Sequence, residues 1–104
     1  MLPPLACQLE KFSVCVMENR YLLLSGGTNG SHLSSDKVFK LDLELQKWTE
    51  EPCLNQARFN HASYAIGNIP YVYGGEDFCG NYLNTIEHLK EQEKSSWFGF
   101  NVTK

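Results

Sequence analysis

One short phrase of the sequence occurs twice and constrains the fold more than any other feature. An apolar run that ends in two glycines, residues 21–27, returns as residues 69–75, a spacing of 48 residues. The repetition continues after the glycines, because Val38 falls on Ile86. Self-similarity at a period of about 20–50 residues is typical of stacked repeats. The chain is therefore expected to contain two copies of one structural unit.

The two copies share further positions when this spacing is kept throughout. The matches are Pro4 with Pro52, residues 13–16 with residues 61–64, Leu41 with Leu89 and, after one inserted residue, Trp48 with Trp97. Two positions differ: Lys90 replaces Asp42, and Glu10 stands at the position of Arg58. Any role of Arg58 is thus expected to be confined to the second copy.

Each copy contains four short segments rich in Val, Ile, Tyr and Leu, separated by Gly, Asn, Asp and Ser clusters, which is typical of strands joined by turns. The predicted strands are residues 12–17, 21–25, 37–41 and 47–49, then 61–66, 70–73, 85–89 and 96–101. A helical stripe at Val38, Leu41, Leu45 and Trp48 is the alternative. The second copy has no such stripe, which favours strands. Four strands in about 50 residues form one propeller blade.

The chain resembles the kelch repeat. The residues that carry the resemblance are Gly26, Gly27, Asp42, Trp48, Arg58, His61, Tyr71, Gly74, Gly75 and Trp97. The resemblance implies an all-β fold of two four-stranded antiparallel blades in an incomplete ring. Residues 1–11 would be the tail of a preceding blade and a linker, residues 12–54 the first repeat and residues 55–104 the second. The glycine pairs and both tryptophans are expected to be structural. Because glycine has no Cβ, one hypothesis is that Trp48 or Trp97 packs over the glycines.

Composition narrows the class of protein. The net charge is −3, with scattered lysines and arginines, which argues against nucleic-acid binding. No apolar run approaches the ~20 residues of a membrane span, and no secretory signal is apparent. Cys7, Cys15, Cys53 and Cys79 form no Cys-x-x-Cys pair, which favours a reduced, cytoplasmic protein with Cys15 buried in a strand.

Two blades are fewer than the roughly four to eight of a propeller. A blade is covered by its neighbours, so a two-blade chain leaves two apolar faces exposed. We therefore expect either a piece of a longer chain, in which neighbouring blades complete the ring, or a subunit that completes the ring by self-association.

Function is expected at the edge of the blades that carries the long loops, residues 28–36, 51–60 and 76–84, because polar loops on a rigid scaffold are where binding usually occurs. Kelch propellers commonly receive protein partners there, so the predicted partner is a protein or peptide. The candidate partner-binding residues are Asn29, Ser31, His32, Arg58, Glu76, Asp77, Phe78 and Tyr82. Arg58 has a favoured structural alternative, in which it binds a loop carbonyl or carboxylate, and the two aromatic residues could instead fold back onto the blade.

No catalytic motif, cofactor fingerprint or metal-ligand spacing is present, so neither catalysis nor a cofactor is predicted. His32, His61 and His88 are expected to be structural or solvated. Related kelch propellers often carry a domain that recruits a ubiquitin ligase, which makes a substrate-adaptor role one version of the prediction. The alternative is a fragment of a kelch-fold enzyme, either a galactose-oxidase-like copper oxidase, for which Cys79, Tyr82 and His32 would be candidates, or a sugar-acid isomerase.

Overall fold

A computed structural model describes residues 10–28, 34–89 and 97–101, which form two four-stranded antiparallel sheets. The strands are β1 (Ser13–Met17), β2 (Tyr21–Ser25), β3 (Val38–Asp42), β4 (Lys47–Glu51), β5 (Ala62–Ile66), β6 (Ile69–Tyr73), β7 (Thr85–His88) and β8 (Phe98–Asn101). Each sheet is a meander in sequence order, β1-β2-β3-β4 and β5-β6-β7-β8. The predicted all-β fold of two blades, open rather than closed into a ring, is confirmed. No helix able to cross a membrane occurs among these residues.

The helical alternative for residues 38–48 is wrong, because β3 and β4 pair in register across a four-residue turn. Asp42 closes this turn. Its carboxylate oxygen Oδ1 accepts hydrogen bonds from the backbone N–H groups of Glu44 and Leu45 at 3.0 and 3.1 Å. Its Oδ2 forms an ion pair with Nη2 of Arg20 at 2.9 Å. A side chain that satisfies turn N–H groups stabilises a turn over a helix at this point.

The first hairpin contains one residue more in the first blade (β1–β4) than in the second (β5–β8). Residues 18–20 join β1 to β2, whereas residues 67–68 join β5 to β6. The repeat therefore has an offset of 49 residues before this turn and 48 after it. The predicted match of Ser13 with His61, which assumed one offset throughout, is wrong, and Ser13 corresponds to Ala62.

The same change of offset moves the counterpart of Arg58. Isolated backbone bridges ahead of the first strand of each blade align Glu10 with Phe59. The predicted match of Glu10 with Arg58 is therefore wrong by one residue. In the sequence, Leu9 takes the position of Arg58.

The core lies between the blades, where one sheet face of each blade packs against the other. The buried members are Cys15, Met17, Leu23 and Val38 from the first blade, Val72, Leu89 and Trp97 from the second, and Leu54 from the connection between them. The hydroxyl groups of Ser13 and Ser63 are hydrogen bonded across this interface, with 2.6 Å between the Oγ atoms. The burial of Cys15 confirms its predicted place in a strand.

The glycine pairs lie where the blades and their connections approach most closely. Gly26 has φ +64°, and a Cβ there would overlap the carbonyl oxygen of Arg58 and the imidazole of His61. A Cβ on Gly75, at φ +86°, would lie 2.5 Å from the carbonyl oxygen of Phe59. The hypothesis of a tryptophan packed over the glycines is wrong, because the segment between β4 and β5 fills the space beside Gly26 and Gly75.

The tryptophans have other positions. Trp97 is buried in the core between the blades, and its Nε1–H donates a 2.8 Å hydrogen bond to the carbonyl oxygen of Pro52. Trp48 lies in β4, pairs with Leu41 of β3 and is half-buried. Trp97 thereby ties the residue that follows β4 to the second blade.

Candidate functional site

The candidate site is the loop face, which we define as the edge of the two sheets that carries the β2–β3, β4–β5 and β6–β7 connections. Backbone hydrogen bonds join these connections to one another. The N–H of Gly27 donates to the carbonyl oxygen of Arg58 at 2.8 Å, and the N–H of Arg58 donates to that of Ser35 at 3.2 Å. Phe59 and Glu76 exchange N–H···O bonds at 3.1 and 3.0 Å. The β4–β5 connection is thus bound between the other two.

Asp77 fixes the β6–β7 loop from within. Its carboxylate accepts the backbone N–H groups of Cys79 and Asn81, each at 3.0 Å, and the Asn81 side-chain amide at 3.2 Å. These hydrogen bonds with Asn81 and Cys79 hold the pKa of Asp77 below its ordinary value. Asp77, which the sequence predicts to contact a partner, therefore uses its carboxylate for hydrogen bonds within its own loop, in the manner of an Asx turn.

Phe78 and Tyr82 stand on this fixed loop with their side chains in solvent. Phe78 is 63% exposed and Tyr82 is 84% exposed. The alternative, in which the two aromatic residues fold back onto the blade, is not what the structure shows. A bridge between Glu76 and Tyr82 ties the two ends of the loop together. The loop therefore presents two large aromatic side chains on an ordered backbone.

Glu76 adds negative charge beside them. The side chain is half-buried, and its Oε2 accepts a hydrogen bond of 3.4 Å from the amide of Asn60. Asn29, Ser31 and His32, which the sequence places in the β2–β3 loop, lie outside the described residues.

Arg58 lies beneath the loop face and is 0% exposed. Its Nη2 contacts Oε2 of Glu87 at 2.8 Å and Oγ1 of Thr85 at 2.8 Å, and its Nη1 donates to the carbonyl oxygens of Gly74 and Thr85. Burial lowers the pKa of Arg58, and the charge of Glu87 offsets part of this effect. This placement matches the structural alternative considered for Arg58, because a fully buried guanidinium presents nothing to an external partner.

Glu87 also binds the backbone of the β4–β5 connection, which carries Arg58. Its Oε1 accepts the backbone N–H of Asn55 at 2.7 Å, and its Oε2 accepts that of Gln56 at 3.1 Å. Charged hydrogen bonds of this kind are roughly twice as strong as neutral ones. Arg58 and Glu87 together hold the loops against the second blade and set the shape of the loop face.

His61 occupies the boundary between the blades. Its Nε2 lies 2.9 Å from Oγ of Ser25, and burial, followed by the nearby charge of Arg58, lowers its pKa to about 4. The imidazole is therefore neutral at physiological pH. Among the described residues, no group of three or more His, Cys, Asp and Glu side chains is placed to hold a metal ion.

Comparison with known proteins agrees with the repeat architecture. The Kelch motif family model matches residues 12–55. The chain belongs to the kelch-repeat proteins. Relatives include an F-box/kelch-repeat protein of Arabidopsis thaliana, 29% identical over 99 residues, which cover 92% of this chain and 26% of the relative.

Two further kelch-repeat relatives come from distant sources. Beta-scruin of Limulus polyphemus is 29% identical over 80 residues, 71% of this chain and 9% of the relative. A kelch repeat protein of Myxoma virus is 32% identical over 73 residues, 70% of this chain and 14% of the relative. This kelch chain therefore spans about a quarter or less of the length of these relatives.

Sequence reasoning missed two features of this kelch pair. Glu87 was not singled out, although it lies inside a predicted strand and a glutamate that is buried there needs a partner. The residues of the exposed sheet face of the second blade, Tyr64, Ile66 and Tyr73, were not named either. The alternation of Tyr64 and Ile66 at every second position along β5 was the available signal.

Proposed function

We propose that the loop face binds a protein or peptide partner through the connections that follow the second and fourth strands of the blades. The observation that carries the proposal is the pair of exposed aromatic residues, Phe78 and Tyr82, on a loop held by the Asp77 carboxylate. Aromatic residues dominate the energetics of interfaces. A loop already fixed by its own hydrogen bonds loses little conformational entropy when a partner binds.

The chemistry of the loop face indicates the kind of partner. Glu76 lies next to Asp77, whose carboxylate is ionised and hydrogen bonded within the loop. A partner segment with an apolar side chain to pack on Phe78 and Tyr82, and a lysine or arginine beside it, would complement this surface. The sequence adds Asn29, Ser31 and His32 to the proposed contact residues, whereas Arg58 acts by positioning the loops.

Likeness to an F-box/kelch-repeat protein supports a narrower version, in which the bound partner is a substrate presented to a ubiquitin ligase. This version rests on analogy within the family, and fold alone does not establish function. A cytoplasmic location also stays a prediction. Its support is that Cys15, Cys53 and Cys79 are free thiols.

We also propose that further blades cover the open sheet faces, supplied by a longer chain or by self-association. The support is the arrangement of the two blades present, in which the apolar face of one is covered by the other.

The test is a selection of binding peptides from a random-peptide library displayed on phage, followed by calorimetric titration of the selected peptides. The Phe78→Ala and Tyr82→Ala variants should each bind roughly 5- to 30-fold more weakly, since truncation of an aromatic contact residue costs ~1–2 kcal/mol. Leu45→Ala is the matched control, because Leu45 is an equally exposed apolar residue on the opposite edge of the sheets. Equal losses in all three variants would contradict binding at the loop face.

A further inference from the structure

The second blade leaves one apolar sheet face in solvent. Tyr64 and Ile66 of β5 are 49% and 60% exposed, and Tyr73 of β6 is 43% exposed. The rings of Tyr64 and Tyr71 are stacked on this face at a centroid distance of 5.4 Å. We call this surface the open face of the second blade. Phe78 and Tyr82, which carry the proposed function, are not part of it.

The first blade shows what covers such a face. By strand register, Tyr64 corresponds to Cys15 and Tyr71 to Leu23, and both of these residues are buried by the second blade. The open face is therefore the counterpart of the interface that already exists inside this chain. A surface equivalent to a blade interface has the geometry to receive another blade.

The space beside the glycine pairs also differs between the covered face of the first blade and the open face of the second blade. A Cβ on Gly26 would overlap the carbonyl oxygen of Arg58 and the imidazole of His61, both from the β4–β5 connection. Gly74 is its counterpart and has the same left-handed conformation at φ +70°. A Cβ there would approach only the carbonyl oxygen of Leu83, at 3.6 Å. Space that is filled beside Gly26 is empty beside Gly74 in the described part of the chain.

Backbone hydrogen-bonding groups surround that space. In the first blade, the N–H of Gly27 and the carbonyl oxygens of Ser35 and Asp36 bind the β4–β5 connection at 2.8, 3.2 and 2.8 Å. Their counterparts are the N–H of Gly75 and the carbonyl oxygens of Leu83 and Asn84. Within residues 34–89 these three groups make no hydrogen bond of the corresponding kind. They match a segment of extended backbone like the connection itself.

The sequence contains a second stretch with the residue pattern of that connection. At the offset of 49 residues, residues 3–12 correspond to the β4–β5 connection and reproduce its Pro-x-Leu pattern, with Pro3 for Pro52 and Leu5 for Leu54. Leu54 is one of the buried residues of the existing interface. The strand that follows carries Val14 and Val16 exposed on the outer face of the first blade. These valines correspond to Ser63 and Ala65, which face the first blade.

We propose that the open face of the second blade binds the first blade of a second copy of this chain, in the way that the first blade binds the second. Residues 3–12 of the second copy would lie along Gly75, Leu83 and Asn84, with Val14 and Val16 packed on Tyr64 and Ile66. The inference rests on the proposed covering of the open faces and is independent of partner binding at the loop face. Such an interface is head-to-tail, so it closes into a ring when the rotation permits.

The test measures the solution mass of the chain by light scattering at several concentrations. We expect a discrete assembly of about two to four copies, because propellers have ~4–8 blades and each copy supplies two. Tyr64→Glu and Val16→Glu should each abolish ring formation, since either buries a charge in the interface. Both residues are exposed in the single chain, so both variants should keep the far-ultraviolet circular dichroism of the original chain.

Mixing the two variants separates head-to-tail assembly from other modes. The Tyr64→Glu chain keeps an intact outer face on its first blade, and the Val16→Glu chain keeps an intact open face. An equimolar mixture should therefore form a discrete one-to-one complex, which neither variant forms alone. If a variant loses its circular dichroism, Ile66→Lys and Val14→Lys replace the pair.

Three outcomes would overturn the proposal: a monomeric original chain at all concentrations, assembly that survives both substitutions, or a mixture that does not associate. A monomer would indicate that something other than a second copy covers the face. The Phe78→Ala and Tyr82→Ala variants serve as controls and should assemble normally. Loss of peptide binding with normal assembly, or the reverse, would show which of the two proposals has failed.

Discussion

Arg58 and Glu87 form an ion pair with 2.8 Å between Nη2 and Oε2, and neither side chain is accessible to solvent. At the corresponding positions of the first blade the sequence has Leu9 and Phe39, so one copy has a polar pair where the other has two apolar residues. The Glu87 carboxylate also accepts hydrogen bonds from two N–H groups of the β4–β5 connection. A buried charge pair therefore anchors the chain between the blades.

Removal of Glu87 should be strongly destabilising, because it leaves the Arg58 guanidinium buried without its counter-ion. We expect Glu87→Ala to lower the free energy of unfolding by ~3–5 kcal/mol, measured by urea denaturation with circular dichroism. Glu50→Ala is the control. It breaks the exposed pair between Lys37 and Glu50, with 3.5 Å between Nζ and Oε2, and should cost at most about 1 kcal/mol. Similar losses in both variants would contradict the anchoring role.

Replacing Arg58 and Glu87 by their first-blade counterparts, Leu and Phe, tests whether the two residues act as a unit. The double variant Arg58→Leu with Glu87→Phe removes both charges, so it should be more stable than the sum of its two single variants predicts, by about 0.5–3 kcal/mol. It should not regain full stability, because the N–H groups of Asn55 and Gln56 lose their acceptor. Additive single and double losses would mean that the two residues act independently.

The sequence predicts the two blades well because the feature that defines them is local. Strand content depends on residues close in the sequence, and the repetition of the paired glycines supports the assignment of the strands. Register was harder to predict. One residue more in the turn at 18–20 shifts everything before it, so matches such as Ser13 with His61 were off by one although the repeat itself was correct.

Side-chain environment was predicted less well than the strands, because it depends on which sheet face meets which neighbour. The missing Cβ of the glycines suggested the hypothesis of a tryptophan packed over them, but the β4–β5 connection passes there and brings the backbone of Arg58 and the ring of His61. Phe78 and Tyr82 could be picked as aromatic residues in a polar loop, whereas their exposure followed only from the structure.

Close approach at Gly26 predicts a large effect for a single methyl group. Gly26→Ala should lose ~1–2 kcal/mol from the left-handed backbone conformation and a further ~1–3 kcal/mol from the overlap with Arg58 and His61. Gly67→Ala is the matched control, since Gly67 has φ +62° and nothing within 4 Å of its Cβ position. The control should show the conformational loss alone. Equal shifts in urea midpoint would show that the approach at Gly26 is not restrictive.

The turn between β3 and β4 depends on the Asp42 carboxylate. Asp42→Ala removes the acceptor for the N–H groups of Glu44 and Leu45 as well as the ion pair with Arg20, and should lower the urea midpoint. Asp42→Asn keeps an oxygen acceptor, so its urea midpoint should lie between those of the original chain and the Asp42→Ala variant. The Arg20 side chain lowers the pKa of Asp42, so this stabilisation is present above the ordinary aspartate pKa and disappears as pH falls below it. Equal midpoints for the Ala and Asn variants would assign the effect to the ion pair alone.

His61 predicts a loss of stability in mild acid. Its folded-state pKa of about 4 lies below the ordinary value of 6.5, because burial and the charge of Arg58 disfavour the protonated ring. Below pH 6.5 the unfolded chain takes up a proton that the folded chain does not, so the unfolded state is favoured increasingly down to about pH 4. The free energy of unfolding should fall by on the order of 3 kcal/mol across this window, measured by urea denaturation at several pH values.

The His61→Gln variant isolates this effect from the other titrating groups. Glutamine has an amide that can contact the hydroxyl of Ser25 but does not titrate, so the variant should lose most of the pH dependence between 6.5 and 4. The carboxylates Asp42 and Asp77 have lowered pKa values, which places their contribution below this window and leaves it the same in both chains. If the two chains show the same dependence on pH, the proton is taken up elsewhere and the buried imidazole does not control the contact between the blades.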